Sequence, residues 1–150
     1  MMREKTIMLV EDNPDDVILT QRAFKKCRIA GRIVVAHDGI EALDYLLAKN
    51  KETGRYQSIL PAVILLDIKM PHMNGIETLK QIRSHSRTAY LPVVVLTSSD
   101  EEEDKLQSYQ MGANSYIRKP IDFDRFLEIS HYLGLYWLSI NELPEQLEAK

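Results

Sequence analysis

The middle of the chain reads Ala62-Val63-Ile64-Leu65-Leu66-Asp67, an unbroken apolar run that ends in a carboxylate. A strand that is buried on both faces of a parallel sheet has this continuous apolar character, because helices cover both sides of the sheet. Ligands of open parallel α/β sheets bind beyond the carboxyl ends of the strands. The stretch therefore predicts a central parallel strand that presents Asp67 at the ligand-binding edge.

Apolar runs alternate with amphipathic stretches along the whole chain, which is typical of a βα repeat and a parallel sheet. The first predicted helix has Asn13 as its N-cap, Pro14 in its first turn, Asp15 and Asp16 at its positive end, and Gly31 as its stop signal. The predicted strands are residues 6–10, 33–36, 62–66, 93–96 and 115–118. The other predicted helices start at residues 38–39, run from about 74 to 83, run from 100–104 to 111–112, and run from 122 towards 140.

Composition and charge exclude several classes of protein. The 150 residues are 45% hydrophobic and 27% charged, which is ordinary for one soluble domain with its own core. The net charge of -3 comes from interspersed signs, without a basic stripe for nucleic acid. The single Cys27 fits a reducing compartment, and neither a signal peptide nor an apolar run of membrane-spanning length is present. We therefore expect a cytoplasmic protein that binds neither nucleic acid nor membranes.

Charged and hydroxyl side chains end four of the five predicted strands. Glu11 and Asp12 follow the first strand, Asp67 the third, Thr97 the fourth and Lys119 the fifth. Each has an ordinary structural explanation when taken alone, such as helix capping for the acidic pair or solvation for the lysine. Because they end different strands of one predicted sheet, we expect them to meet at one edge.

This set of side chains suits phosphoryl chemistry. Asp12 and Asp67 supply hard oxygen ligands for Mg²⁺, and Glu11 would orient metal-bound waters. The cation would offset the repulsion between the carboxylates, and a carboxylate can act as a nucleophile towards phosphorus. Lys119 and Thr97 would then hold the oxygens of the transferred phosphoryl group.

Four motifs together resemble the receiver domain of two-component response regulators, over about residues 5–135. They are Glu11-Asp12-Asn13, Asp67-Ile68-Lys69-Met70-Pro71 with Asn74-Gly75, Thr97-Ser98, and Tyr116-Ile117-Arg118-Lys119-Pro120. The resemblance implies a flavodoxin-like, doubly wound sheet of five parallel strands in the order 2-1-3-4-5, with five helices.

The resemblance also implies a role for each matching residue. A sensor histidine kinase would phosphorylate Asp67, and the metal would be held by carboxylates and one main-chain carbonyl. The implied metal site comprises Glu11, Asp12, Asp67 and the Lys69 carbonyl; the implied phosphate contact is Lys119, the switch pair is Thr97 and Tyr116, and a cis peptide precedes Pro120.

Two features narrow the resemblance. Residues 49–61 make a connection longer than a minimal loop, and residues 132–138 carry more apolar surface than a final helix needs. Both are similar to the small regulators that partner cyanobacterial and other bacterial phytochromes, although a long, well-covered final helix explains the second equally well. We expect a single stand-alone domain over residues 1–150, with its core in about 5–135 and an extension over about 136–150.

An apolar stripe predicts self-association. Ile129, Tyr132, Tyr136 and Ile140 share one face of the last predicted helix, beyond what the core can cover. We expect a homodimer through the fourth helix, the fifth strand and the fifth helix. The alternatives are that the tail after Ile140 folds back over the stripe, or that the stripe binds the kinase or a target.

Two other functions remain possible from the residues. A small phosphohydrolase with an aspartyl-phosphate intermediate, resembling haloacid dehalogenases, would need a second Asp two residues after the nucleophile, where this chain has Lys69. A receiver-like module that is never phosphorylated would not need the complete set of site residues. We therefore expect no enzyme activity beyond the chain's own phosphorylation and dephosphorylation.

Overall fold

The sheet has the predicted strands in the predicted order. A computed structural model describes residues 5–28, 31–119 and 122–144. Five parallel strands form one sheet in the order β2-β1-β3-β4-β5, which confirms the expected α/β receiver topology. The strands are β1 Thr6–Val10, β2 Arg32–Ala36, β3 Val63–Leu66, β4 Val93–Thr97 and β5 Ser115–Arg118.

Five helices connect and follow the strands. They are α1 Pro14–Lys26, α2 Gly39–Leu47, α3 Gly75–Ser84, α4 Glu102–Gln110 and α5 Phe123–Gly134. The Asn13 side chain caps α1 by accepting from two backbone N–H groups, and Asn74 forms a capping box with Glu77 at α3. The predicted end of α1 at Gly31 is wrong, because Arg28 takes a φ of 54° that an α-helix cannot continue through.

The core explains why β3 is apolar at every position. All four of its residues are buried, and successive side chains point to opposite faces of the sheet. Helices α2 and α3 pack together on one face, and α1 packs against α5 on the other. The first layer includes Ile64, Leu66, Leu46, Leu79 and Ile82, and the second includes Val63, Leu65, Phe24 and Leu133.

The long connection before β3 is fixed by one side chain. Arg87 donates from Nε to the Leu46 carbonyl at 3.0 Å and from a terminal nitrogen to the Ser58 carbonyl at 2.6 Å. Its guanidinium also lies 3.8 Å from the centre of the Tyr56 ring. Residues 49–61 therefore form an ordered loop between the end of α2 and the start of β3, away from the carboxyl ends of the strands.

The last helix changes its winding near the end. Residues Leu135–Ile140 form a π-helical segment after α5, in which the Asn141 N–H donates to the Tyr136 carbonyl, five residues earlier, at 2.6 Å. The sequence predicted a single helix from residue 122 towards Ile140. That prediction is corrected here, because the α-helix ends at Gly134 and continues as a π-helix.

One member of the predicted stripe lies elsewhere. Ile129 is half-buried against the core, so its assignment to an uncovered stripe is wrong. The other three residues, Tyr132, Tyr136 and Ile140, are exposed by 59%, 46% and 57%. Residues 141–144 do not fold back over them, because Leu143 packs against the core instead. We refer to Tyr132, Tyr136 and Ile140 as the tyrosine ridge.

None of the helices in the described ranges is long and apolar enough to cross a membrane.

Candidate functional site

Three carboxylates meet at the carboxyl edge of the sheet. Glu11 and Asp12 follow β1, Asp67 follows β3, and one carboxylate oxygen of each lies within 4.8 Å of the others. The Asp67 N–H donates to the Val10 carbonyl at 3.0 Å, which holds the start of its loop against the end of β1. Glu11 and Asp67 are 3% and 8% exposed, so like charges converge in a poorly solvated place.

A glycine lets α3 begin directly beneath Asp67. The Gly75 N–H donates to the Ile68 carbonyl at 2.9 Å. A Cβ at position 75 would collide with the Asp67 carbonyl oxygen and come 2.7 Å from the Ile68 Cα. Two requirements explain the Asn74-Gly75 motif: Asn74 caps α3, and Gly75 packs closely against the backbone of Asp67 and Ile68. The Asp67 side chain is oriented by the Ile68 N–H, which donates to Oδ1 at 2.9 Å.

Lys119 bridges two acids. Its Nζ lies 2.8 Å from Glu11 Oε1 and 3.0 Å from Asp16 Oδ2. Within the described residues its ion pairs are these two, and Asp67 is not among them. Burial alone would lower the pKa of Lys119, but its hydrogen bonds to Glu11 and Asp16 and the charges of Glu11 and Asp67 outweigh burial and raise it. The ammonium therefore stays charged.

The buried Glu11 carboxyl is hard to ionise. Loss of solvent, with a smaller contribution from the charge of Asp67, raises its pKa to about 7 against the opposing hydrogen bond from Lys119. Such a group gives up its proton readily when a cation arrives, because the cation replaces the missing solvation.

The predicted switch residues share one neighbour. Thr97 is fully buried at the end of β4, and its Oγ1 accepts from the Ser99 N–H at 3.3 Å. The Tyr116 hydroxyl on β5 donates to the Ser99 carbonyl at 3.0 Å. Ser99 therefore contacts both residues of the predicted pair in this conformation. Pro120, before which a cis peptide was expected, lies outside the described residues.

Lys69 is tied to the start of α4. Its Nζ pairs with Asp104 Oδ2 at 3.3 Å, and Ser99 Oγ donates to the same oxygen at 2.6 Å. The bond from Ser99, with help from Lys69, lowers the pKa of Asp104. This arrangement connects the loop after Asp67 to the loop after Thr97. The metal-ligand role expected for the Lys69 carbonyl stays a prediction.

Sequence reasoning missed Asp16 and Asp104 as neighbours of the site. Both are acids near helix starts, and each lies four residues before a buried hydroxyl residue, Thr20 and Ser108 respectively. That spacing puts them on the inward face of α1 and α4. The helical spacing was thus an available signal, although it does not reveal their partners.

The donor set fits a small divalent cation. Three carboxylates in one place are hard oxygen ligands, and both the burial of Glu11 and the nearby charge of Asp67, which raise the pKa of Glu11, favour a bound cation. Mg²⁺ suits such a site because it takes few carboxylates and keeps several waters.

The fold and site define a receiver domain. The sequence model of the family described as "Response regulator receiver domain" matches residues 7–131, and the chain belongs to this family. The chain is therefore a receiver-domain response regulator of a two-component phosphorelay.

Similar proteins include a methanogenesis regulatory protein and response regulators of cyanobacteria. It is 39% identical to the "Probable methanogenesis regulatory protein FilR2" of Methanothrix harundinacea, over 92% of this chain and 86% of that protein. The solved structure of the phosphorylated cyanobacterial phytochrome response regulator RcpA has a TM-score of 0.82 at 34% identity, covering 95% of this chain and 100% of that chain. The Mn²⁺-bound form of response regulator Rcp1, a protein of Synechocystis sp., has a TM-score of 0.78 at 33% identity, covering 93% of this chain and 99% of that chain.

Proposed function

We propose that Asp67 accepts a phosphoryl group from the phosphohistidine of a sensor histidine kinase. The observation that carries this proposal is the Asp67 carboxylate at the end of the central strand, beside two further carboxylates and within the field of Lys119. A carboxylate oxygen attacks phosphorus, the bond between phosphorus and the donor imidazole breaks, and the imidazole leaves with the electron pair. Such a regulator would act in the cytoplasm through protein contacts.

The neighbouring side chains would stabilise the transferred group. Lys119 and the Thr97 hydroxyl would donate to the phosphoryl oxygens, because phosphoryl transfer depends on positioning and charge stabilisation. Asp12, Asp67 and the Lys69 carbonyl would hold Mg²⁺, with Glu11 orienting its waters. When bound, the cation supplies charge neutralisation between the acids and the incoming phosphoryl group.

A labelling experiment separates this function from its alternatives. The purified chain is incubated with Mg²⁺ and acetyl phosphate, and the phosphoprotein and free phosphate are followed in time. A phosphoacceptor accumulates label, a phosphohydrolase releases phosphate with multiple turnovers, and an unphosphorylated module does neither. A phosphohydrolase of this kind would need a carboxylic acid two residues after the nucleophile, and that position holds Lys69, which pairs with Asp104.

The relatives suggest a phytochrome as the kinase. RcpA is described as a phytochrome response regulator, and the bacteriophytochrome response regulator RtBRR is 42% identical to this chain with a TM-score of 0.72. Transfer to this chain from a phytochrome kinase in its two light states tests the assignment. Equal transfer in both states would argue for a donor that does not sense light.

We predict that Thr97→Ala is phosphorylated but fails to switch. Moving a two-state equilibrium from 1:99 to 99:1 takes about 5.5 kcal/mol, and Thr97 and Lys119 together could supply roughly 3–6 kcal/mol through charge-assisted hydrogen bonds. Losing the Thr97 share leaves the switch incomplete, while Tyr116 keeps its hydrogen bond to the Ser99 carbonyl. Phosphate-dependent partner binding measures the effect.

The matched control is Thr97→Ser, which keeps the hydroxyl. We expect this variant to switch nearly as well as wild type. Phosphate-dependent binding that is unchanged in Thr97→Ala would show that another residue drives the transition.

We also propose that the tyrosine ridge is the centre of a homodimer interface formed by α4, β5, α5 and the π-helical segment. Tyr132 and Tyr136 are exposed by 59% and 46%, and aromatic residues are typical anchors of interfaces. The neighbouring α4 presents Leu106 and Tyr109, exposed by 57% and 49%. Tyr116 lies on β5 between these helices, so its movement would change this face when Asp67 is phosphorylated.

Glutamate on the ridge should break the dimer. We expect Tyr132→Glu and Tyr136→Glu each to weaken dimerisation by roughly 700-fold, because each substitution removes an anchor of about 2 kcal/mol from both copies at a two-fold interface. Light scattering across a concentration series, with and without phosphorylation, measures the dissociation constant. Gln21→Glu is the control, because Gln21 is exposed on α1, outside the proposed interface, and the substitution adds the same charge. A wild type that is monomeric in both states would assign the ridge to the kinase or a target.

A further inference from the structure

Lys119 is shared between one acid inside the carboxylate cluster and one outside it. Glu11 belongs to the three acids whose oxygens lie within 4.8 Å of one another. Asp16 stands on the first turn of α1 and is not a member of that group. Because Nζ is 2.8 Å from Glu11 and 3.0 Å from Asp16, the ammonium is drawn both towards the cluster and towards α1.

The two partners differ in how easily they can be given up. The Glu11 side chain is 4% exposed, whereas the Asp16 side chain is 36% exposed. Water can replace the lysine at Asp16 more readily than at the buried Glu11, because ion pairs near solvent are weak. Glu11 is also a neighbour of Asp67, so a lysine that approaches Asp67 can stay in contact with Glu11.

These observations give Asp16 a role in the proposed reaction. We propose that Asp16 is a positioning residue that holds the Lys119 ammonium towards α1 in the unphosphorylated protein and competes with the phosphoryl group for it. The inference rests on the proposed phosphorylation of Asp67. When Asp67 is modified, the contact with Asp16 lengthens and the ammonium moves to the phosphoryl oxygens.

The competition should show in the rate of labelling by acetyl phosphate. An Asp67 oxygen forms a bond to phosphorus, the bond between phosphorus and the acetyl oxygen breaks, and acetate leaves with the electron pair. Lys119 stabilises the charge on the phosphoryl oxygens during this step. Asp16→Asn removes the competing charge, so labelling accelerates by about two- to fivefold, the range set by a partly exposed ion pair.

Asp15→Asn provides a matched control. Asp15 and Asp16 occupy the same helix turn, so both variants lose one charge and the same interaction with the helix dipole. Asp15 is exposed and has no ion pair with Lys119 within the described residues. Any difference between the two variants therefore reports the contact with Lys119 rather than net charge.

The experiment measures two quantities for wild type, Asp16→Asn, Asp15→Asn and Asp16→Glu, all with Mg²⁺. They are the rate of labelling by acetyl phosphate and the affinity for beryllium trifluoride, a non-covalent phosphoryl mimic. Asp16→Asn should label faster and bind the mimic about two- to fivefold more tightly than Asp15→Asn. Asp16→Glu should return both quantities towards wild type, which a purely structural role would not produce.

The possible failures are distinguishable. A wild type that takes no label at Asp67 overturns the proposed function itself. A wild type that is labelled, with Asp16→Asn equal to or slower than Asp15→Asn, overturns the positioning role of Asp16 alone.

Discussion

Asp67→Asn should reduce phosphorylation to background, both from acetyl phosphate and from a phosphohistidine kinase. The amide keeps the size of the side chain and can still accept the Ile68 N–H bond, but its oxygen is neutral and a poor nucleophile. Removing the charge should also lower the pKa of Glu11, because Asp67 helps to raise it. Label is measured by mass spectrometry, and the Glu11 carboxyl by NMR titration.

Asp124→Asn is the control for this variant. Asp124 is an exposed acid in the first turn of α5, so its loss changes net charge equally without touching the acid cluster. It should be labelled like wild type. If Asp67→Asn retains label at a wild-type rate, a different side chain is the acceptor.

Removing divalent metal should have a comparably large effect. In excess EDTA we expect labelling to fall to background, because three acids then face an anionic donor, and among the described residues Lys119 is the cation paired with one of them. Asp12→Ala should weaken Mg²⁺ binding and labelling together, since it removes a predicted ligand while leaving Glu11 and Lys119 paired. Undiminished labelling of wild type in EDTA would remove the metal from the proposed mechanism.

The raised pKa of Glu11 sets the pH dependence of this requirement. When the pH is below the Glu11 pKa of about 7, the carboxyl is mostly protonated. When the pH is above it, the carboxylate attracts the cation. The affinity for Mg²⁺ should therefore rise as the pH increases through 7. Calorimetric titration at several pH values measures this, and proton release on binding should be largest near the same pH.

The placement of the main site residues was predictable because each belongs to a strand end. The apolar run of β3 defined a central strand, and the parallel order then brought Asp67 beside Glu11 and Asp12 without knowledge of any contact. The hydrogen bond from Lys119 to Asp16 could not be predicted from the sequence. It joins residues 103 positions apart and depends on how α1 packs against the sheet. Side-chain partners across elements follow from packing, which local patterns do not encode.

The same limit applies to Ser99 and to helix ends. Ser99 belongs to none of the four sequence motifs, yet its backbone and hydroxyl bind Thr97, Tyr116 and Asp104. The early end of α1 depends on one backbone angle at Arg28, a residue type that is common inside helices.

The π-helical segment makes the tyrosine ridge straight. In an α-helix, residues four apart overshoot a full turn by about 40°, so a stripe with this spacing spirals around the axis. A π turn holds more residues, so the step from Tyr136 to Ile140 rotates back against the step from Tyr132 to Tyr136. Two straight edges can lie side by side across a two-fold axis over their full length, with Tyr132 of one copy opposite Ile140 of the other.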